Sequence, residues 1–165
     1  ELTIEKFYSK NFYYLITASL FDSKYQNKNM VWHNTIYNNK YAGNILIGKE
    51  FKLKKNNAIS VNVRYMLRGG NRYTPIILSE SIKKAIAVLD YTQFYEAQYP
   101  DYWRTDLSVS YKKNKNKSTW SYGADIQNVT DRKNLINQTY DVANKRINDS
   151  YALPRIPILF IRCEF

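Results

Sequence analysis

The ten residues Ile156–Phe165, with the sequence IPILFIRCEF, decide the fold class because both of their charged side chains fall on one side of an extended strand. Leu159 and Ile161 fall on one side of an extended strand, while Arg162 and Glu164 fall on the other. A strand that crosses an outer membrane needs about 9 to 11 residues, with an apolar side toward lipid and a more polar side toward the lumen. The segment fits this description, although the last strand of a soluble β-sandwich would fit it equally well.

The composition is rich in aromatic rings and in positive charge. The 165 residues include 16 Tyr, 7 Phe and 3 Trp, and such rings favour strands and membrane interfaces. Lys and Arg number 25 against 14 acidic residues, and the net charge of +11 fits nucleic acid, lipid head groups or acidic ligands. The sequence contains no run of about 18 apolar residues, so no transmembrane helix is predicted. The single cysteine, Cys163, excludes a cysteine-based zinc site and is expected on the lipid side as a small apolar residue.

Six segments upstream repeat the alternating pattern. They are Glu1–Phe7, Phe12–Leu20, about Met30–Lys52, Ile59–Leu67, Asp101–Lys112 and Trp120–Gln127. The connections alternate between short polar turns and long loops, the longest of which covers about thirty residues from Gly69 to Pro100. Because this alternation is typical of outer-membrane barrels, the sequence predicts an all-β fold with about seven antiparallel transmembrane strands.

The cost of placing charge in lipid indicates which side of each strand faces inward. A slip of one residue in Asp101–Lys112 would turn Arg104 and Asp106 toward hydrocarbon, where an Arg at mid-bilayer costs about 2 to 4 kcal/mol. The polar side is therefore expected to face the lumen. Seven residues are predicted to do so: Arg64, Arg104, Asp106, Asp125, Gln127, Arg162 and Glu164.

Several linked segments in order resemble the TonB-dependent outer-membrane receptors of the Bacteroidetes type, in the C-terminal part of their barrel. The resemblance runs nearly end to end. Its segments are ELTIEKFYSKNFYYLITASLFDSKYQ (Glu1–Gln26), NILIGKEFKL (Asn44–Leu53), GGNRYTPI (Gly69–Ile76), DYWRTDLSVSYKKN (Asp101–Asn114), DIQNVTDRKN (Asp125–Asn134) and the closing strand to Phe165.

The resemblance implies a barrel of about 22 strands around a plug, of which this chain would supply roughly the last third. It implies outer-membrane lipid, the plug and remaining strands, the TonB complex and the barrel assembly machinery as partners, with Phe165 as the C-terminal aromatic assembly signal. The seven predicted lumen residues would then include plug contacts. Since the chain opens on Glu1 without an initiator Met or a leader, we expect a fragment or a processed piece.

No residue pattern indicates an enzyme or a cofactor. His33 is the only histidine, and Ser81–Lys84 matches S-x-x-K without the elements that accompany it in β-lactamases. The acidic residues between Glu80 and Asp101 favour a solvated surface over a calcium site or a cationic ligand. The lysine-rich run Lys112–Lys117 favours a solvated or head-group-facing hairpin over nucleic-acid binding.

Two other functional classes stay open. One is a different outer-membrane barrel, such as a porin or an adhesin. The other is a soluble basic β-protein that binds nucleic acid or glycan. The favoured expectation is a receptor in the outer membrane of a Gram-negative bacterium that imports a scarce solute, such as a siderophore, a metal complex, an oligosaccharide or a peptide.

Overall fold

The computed structural model describes residues 1–165 and is all-β. In chain order the strands are β1 (Leu2–Ser9), β2 (Phe12–Leu20), β3 (Lys24–Gln26), β4 (Trp32–Asn34), β5 (Tyr41–Lys52), β6 (Ala58–Arg68), β7 (Arg72–Tyr73), β8 (Ala97–Gln98), β9 (Tyr102–Asn114), β10 (Thr119–Gln127), β11 (Leu135–Asp141), β12 (Arg146–Tyr151) and β13 (Ile156–Glu164). The single α-helix, α1 (Leu78–Lys84), has seven residues, and no helix has the length and apolar character needed to cross a membrane.

Seven long strands form one antiparallel sheet in the order β1-β2-β5-β6-β9-β10-β13. The connections at residues 10–11, 53–57 and 115–118 are short, and we call this side of the sheet the turn end. Residues 21–40, 69–101 and 128–155 form the other connections, and we call that side the loop end. Each of β1 and β13 pairs on one side only, so the sheet has two free edges. The predicted count of about seven antiparallel strands is confirmed.

The registers place the side chains of the seven strands on two chemically distinct faces. Up to the irregularity that follows Lys6 in β1, the apolar face comprises even-numbered residues of β1, β2 and β10 and odd-numbered residues of β5, β6, β9 and β13; the alternate positions form the polar face. One row of the apolar face runs from Tyr14 through Ile47, Val63 and Leu107 to Ile126. The predicted period-two alternation therefore extends across the whole sheet.

The protein itself leaves the apolar face uncovered. Only 12 of the 165 residues are buried, and just two of these, Ala58 and Tyr99, are hydrophobic. The chain exposes 11455 Å², whereas a compact monomer of 19.6 kDa exposes about 8,600 Å². Large apolar side chains such as Leu159 and Ile161 are exposed by 82% and 70%. The sheet thus lacks the hydrophobic core that normally stabilises a soluble domain of this size.

Aromatic rings on the apolar face concentrate near both ends of the strands. On β5, Tyr41 and Phe51 lie on either side of Ile45 and Ile47. Strand β9 repeats this order from Trp103 to Tyr111. On these two strands an aliphatic stretch therefore lies between aromatic rings at both ends, and the neighbouring strands continue that stretch as an aliphatic band.

A close aromatic contact fixes the pairing of β10 with β13. Phe160 lies directly opposite Gly123 on the polar face. A Cβ atom built on Gly123 would lie 2.2 Å from the Phe160 ring. The ring therefore occupies the space that any side chain at position 123 would need, and the glycine is required by packing rather than by an unusual φ.

The predicted third strand, from about Met30 to Lys52, is wrong at its start, because β5 begins only at Tyr41. Residues 24–34 instead form the β3–β4 hairpin. Asn38 is fully buried after this hairpin, and Lys40 has a left-handed φ of 71° that ends the turn. Polar contacts between distant parts of the chain, which alternation does not encode, set this boundary.

Candidate functional site

The three long connections pack together at the loop end around a cavity of about 600 Å³. This volume lies within the range of small-molecule sites. Side chains from all three connections line it, and six of them are aromatic: Tyr73, Tyr91, Phe94, Tyr95, Tyr99 and Tyr140. Because side chains of all three long connections line it, this cavity is the candidate binding site.

Asparagines join the first connection to the second. Asn39 donates from Nδ2 to the Gly69 carbonyl at 2.7 Å and to Asn71 Oδ1 at 2.9 Å. Asn34 donates from Nδ2 to both carboxylate oxygens of Glu96 at 3.3 Å. Because Asn34 and Asn39 are buried, the loss of either side chain would leave polar partners unsatisfied.

The GGNRYTPI segment shapes one wall of the cavity through its glycines and rings. A Cβ atom on Gly70 would lie 1.8 Å from the Tyr99 carbonyl oxygen, so no other residue fits there. The next ring, Tyr73, stacks on Tyr99 with centroids 4.1 Å apart and planes 4° apart. Burial raises the pKa of the Tyr99 hydroxyl, which stays neutral at physiological pH.

Arg72 ties this wall to the first connection. Its Nε donates to the Asn38 carbonyl at 3.3 Å, and its Nη1 donates to the Glu96 carbonyl at 2.8 Å. A guanidinium with two backbone acceptors is held in place and contributes positive charge to the cavity lining.

The third connection closes the cavity with β11, and two buried asparagines position it. Asn128 donates from Nδ2 to the carbonyls of Arg132 and Leu153. Asn134 donates from Nδ2 to the Trp103 carbonyl at 2.9 Å and accepts from the Trp103 N–H at 3.1 Å. Both residues belong to the DIQNVTDRKN segment, which therefore anchors the third connection to the start of β9.

The chemistry of the lining favours a solute with flat or apolar surfaces and several hydrogen-bonding groups. Its polar members are the amides Asn71, Asn137 and Gln138, two threonine hydroxyls and Arg72, and no carboxylate is among them. Aromatic faces supply contact area, while neutral amides supply donors and acceptors. No group of three or more His, Cys, Asp or Glu side chains is placed to hold a metal ion.

The residues considered for catalysis have local hydrogen-bond partners. Ser81 Oγ donates to the Ile77 carbonyl at 2.8 Å and accepts from the Val88 N–H at 2.9 Å, so it joins the helix to the following segment. His33 Nε2 lies 3.0 Å from Asn27 Nδ2, and its ring meets the Phe94 ring edge-on.

The carboxylates of the loop end are dispersed, and each has its own partners. Lys40, Asn38 and Lys24 all donate to Asp22 and hold the pKa of its carboxyl well below the usual range. Glu80 pairs with Lys83 at 2.8 Å, which lowers the pKa of Glu80. The Thr92 hydroxyl donates to Asp90, and this bond is the main cause that lowers the pKa of Asp90. These acidic groups stabilise local turns.

All seven residues predicted to face the lumen lie on the polar face of the sheet. Four of them, Arg64, Asp106, Asp125 and Gln127, line a depression of about 270 Å³. Arg104 joins this group through its Nη2, which lies 2.8 Å from Asp106 Oδ2. Arg162 and Glu164 lie nearer the turn end, opposite Ser121 and Thr119. The orientation of this face toward a lumen stays a prediction.

Two buried polar atoms in this cluster have no partner within the chain. They are Arg104 Nε and Asp125 Oδ1. Asp106, in contrast, uses both oxygens, because Oδ1 accepts from the Asn128 N–H at 2.9 Å. Buried polar groups are normally paired, so these two atoms are available to a polar group or a water molecule from outside the chain.

Comparisons of the chain with protein-family models, with curated proteins and with solved structures find no match.

The sequence did not reveal the cavity or the asparagines that support it. Alternation identifies strands, whereas the cavity forms from residues as distant as Ile36 and Tyr140. One signal was available: the segments GGNRYTPI and DIQNVTDRKN concentrate Gly and Asn, which are typical of tight turns and of side-chain to backbone hydrogen bonds.

Proposed function

We propose that this chain is the C-terminal barrel part of a TonB-dependent receptor in the outer membrane of a Gram-negative bacterium. The observation that carries the proposal is the apolar face, which extends over all seven strands without any cover from the protein itself. A surface of this extent needs an apolar partner, and lipid suits the aromatic rings at both ends of β5 and β9.

The dimensions support a membrane as the partner. Tyr41 and Phe51 are ten residues apart on β5, which corresponds to about 33 Å along the strand. At a tilt of about 40° this becomes about 25 Å along the membrane normal, which matches the apolar band of outer-membrane barrels.

The free edges support continuation of the sheet into further strands of a larger barrel. Strands β1 and β13 have nine or fewer residues each and present unpaired backbone groups on their outer sides. Unpaired edges promote aggregation unless another strand covers them. In a barrel of about 22 strands, both edges pair with the remaining strands, and the plug fills the lumen.

In this arrangement the loop-end cavity captures the solute, and the polar face meets the plug. The orphaned atoms of Arg104 and Asp125 support a polar plug contact at this point. The cavity supports a solute with flat or apolar groups, which includes siderophores, metal complexes, oligosaccharides and peptides. The TonB complex would act through the plug and not through the residues of this chain.

The first experiment locates the protein and tests for a closed barrel. Membranes of source cells are fractionated and probed with an antibody to this chain, with gel samples either unheated or boiled. We expect a large outer-membrane band whose mobility changes on boiling. A small soluble band that boiling does not shift would overturn the proposal in favour of a soluble basic β-protein.

A second experiment separates the receptor from a porin or an adhesin. Cells with the protein are given a ferric catecholate, cyanocobalamin, maltoheptaose and a tetrapeptide, each with and without a protonophore. We expect uptake of one probe class that the protonophore abolishes. Uptake that the protonophore leaves unchanged would favour a porin, and no uptake of any probe would favour an adhesin.

The loop-end cavity is tested in the same assay. We expect the Tyr73→Ala/Tyr99→Ala variant to lose at least about tenfold of uptake, because stacked rings supply much of the contact area. Tyr37→Ala is the matched control, since Tyr37 lies in the first connection, is 68% exposed and does not line the cavity. Equal losses in both variants would assign the solute to another site.

A further inference from the structure

The apolar face carries charge at one end only. Its charged residues are Lys6, Lys49 and Lys113, and all three lie near the turn end. Every acidic residue of the seven strands lies on the polar face instead: Glu5, Glu50, Asp106, Asp125 and Glu164. The outward surface of the turn end is therefore purely cationic.

Lysine ammonium groups at this end lie over the aromatic border. Lys6 Nζ is 4.9 Å from the centroid of the Phe12 ring, and Lys49 Nζ is 5.7 Å from that of Phe51. Lys115 Nζ is 6.0 Å from the centroid of Trp120, which also lies opposite Lys113. We call Lys6, Lys49, Lys113 and Lys115 the lysine collar. Its members lie beside aromatic rings and close in sequence to the short connections of the turn end, so their flexible side chains can carry the ammonium groups toward the polar border.

The collar has no acceptor within the chain. None of its ammonium groups donates a hydrogen bond or forms an ion pair, whereas Lys24 and Lys40 bind Asp22 and Lys83 binds Glu80 at the loop end. Lys49, Lys113 and Lys115 are exposed. The available donors therefore face outward, where an anion from outside the chain can reach them.

The outward surface of the loop end differs in this respect. Its one cationic group next to an aromatic ring is Arg132, whose guanidinium lies 4.5 Å from the centroid of Trp103. Arg132 also donates from Nε to Asn134 and from Nη2 to the Asp101 carbonyl. Because this guanidinium already donates to groups of the second and third connections, it is less available to an external anion than the lysines of the turn end.

We propose that the lysine collar binds the phosphate groups of anionic phospholipids in the leaflet on the turn side. This inference rests on the proposed membrane location. Bound phospholipids would place their acyl chains along the aliphatic band and their phosphates beside individual ammonium groups of the collar. Each Lys near a charged membrane surface contributes about fivefold to association, and four of them favour anionic over zwitterionic lipid strongly.

A soluble polyanion fits the geometry less well than a lipid. The collar lies at the border between apolar and polar surface, so a ligand that reaches all of it also contacts exposed rings such as Phe51. The lysines that a polyanion would reach without such contact are at the tips of the turns: Lys10, Lys54, Lys55 and Lys117. These tip lysines form a control group with the same charge as the collar.

The test uses the full protein, purified from source membranes and reconstituted in vesicles of phosphatidylcholine and phosphatidylglycerol. After gentle detergent extraction, the phospholipid retained per protein is measured by mass spectrometry. The variants replace either the four collar lysines or the four tip lysines by Gln. We expect a preference for phosphatidylglycerol of about tenfold or more in the natural protein. The ratio of retained phosphatidylglycerol to phosphatidylcholine should fall to about one in the collar variant. In the tip variant this ratio should stay within about twofold of that of the natural protein.

Two results would overturn the collar proposal: an unchanged preference in the collar variant, or an equal loss in the tip variant, which would indicate a general attraction to polyanions. Displacement of the lipid by glycerol 3-phosphate would also overturn it, because a free phosphate would then suffice. If the collar variant does not assemble, the Lys49→Gln/Lys113→Gln variant gives the same readout at half the charge change.

The gel-mobility shift of the same samples separates the two proposals. If the natural protein shows the mobility shift but no preference for phosphatidylglycerol, the barrel proposal stands and the collar proposal is overturned. If the natural protein shows no mobility shift, both proposals are overturned.

Discussion

The two ends of the seven-stranded sheet are organised by different interactions, although the same strands enter both. At the loop end, buried asparagines and stacked rings join three long connections around a cavity of about 600 Å³. At the turn end, short connections leave the lysines of the collar without partners and the rings exposed. Contacts within the chain thus stabilise the loop end, while the side chains of the turn end remain available to groups outside the chain.

The largest expected loss of stability comes from a charge placed on the apolar face, half-way between the two ends of the sheet. Leu107 lies mid-way between Trp103 and Tyr111 on the apolar face of β9. If lipid covers this face, Leu107→Arg should cost about 2 to 4 kcal/mol. The fraction of protein that shows the unheated, folded gel band, followed through a urea titration, measures this loss.

Ser108→Arg is the matched control, because position 108 is next in sequence and lies on the polar face beside Asn62 and Asp125. We expect its urea midpoint to stay close to that of the natural protein, since the new charge faces polar groups. Equal destabilisation by both variants would remove the distinction between the two faces.

Gly70→Ala should have a smaller effect, which is an increase in local opening confined to the loop end. The added Cβ would lie 1.8 Å from the Tyr99 carbonyl oxygen, so the wall of the cavity must shift. Release of Arg72 from its backbone acceptors should then make trypsin cleavage after Arg72 at least about fivefold faster. The gel-mobility shift of the barrel should persist.

Gly43→Ala provides the comparison for this substitution. A Cβ atom there would meet only the Thr17 carbonyl oxygen at 3.4 Å, an ordinary contact within the sheet. Trypsin cleavage after Arg72 should be unchanged. If Gly43→Ala accelerated cleavage as strongly as Gly70→Ala, opening of the loop end would not depend specifically on the contact between Gly70 and Tyr99.

Asn134→Ala should weaken the attachment of the third connection by about 1 to 3 kcal/mol, because buried partners lose their hydrogen bonds. Asn134 holds both backbone groups of Trp103 and accepts from Arg132. Hydrogen exchange of the Trp103 amide, and of β11 and β12, should rise in this variant. Asn144→Ala, at the exposed tip of the same hairpin, should leave exchange near Trp103 unchanged, and an increase there would contradict the assigned role of Asn134.

The smallest effect concerns pH at the tip of the β11–β12 hairpin. Asn144 donates to Asp141 and is the main cause that lowers the pKa of Asp141 from 3.8 to about 2. A lowered pKa means that this contribution is present above pH 3.8 and is lost as the pH falls toward 2. Pepsin cleavage between Tyr140 and Ile147, relative to the urea-denatured chain at the same pH, should therefore rise over this interval.

Asp141→Asn is the corresponding test, because its side chain does not titrate. Its cleavage ratio should stay flat over the same interval of pH. A rise as steep as that of the natural protein would mean that another group controls the opening of the hairpin.

Much of the sheet followed from local pattern. The predicted strand Phe12–Leu20 has the bounds of β2, and the predicted faces of Asp101–Lys112 match those of β9. The start of β5 did not follow, because Asn38 and Asn39 settle it through bonds to residues that are distant in sequence. Prediction was thus reliable where backbone geometry alone sets side-chain direction.

The sequence by itself determined which residues of each long strand share a face, because successive side chains of an extended chain point in opposite directions. It also determined which connections are long and that every acidic strand residue is separated from the collar lysines on the apolar face. Only the tertiary structure decided how the long connections fold, which rings meet across the cavity and which polar atoms stay unpaired. These features depend on strand register and on contacts between residues far apart in the chain, such as Asn34 with Glu96.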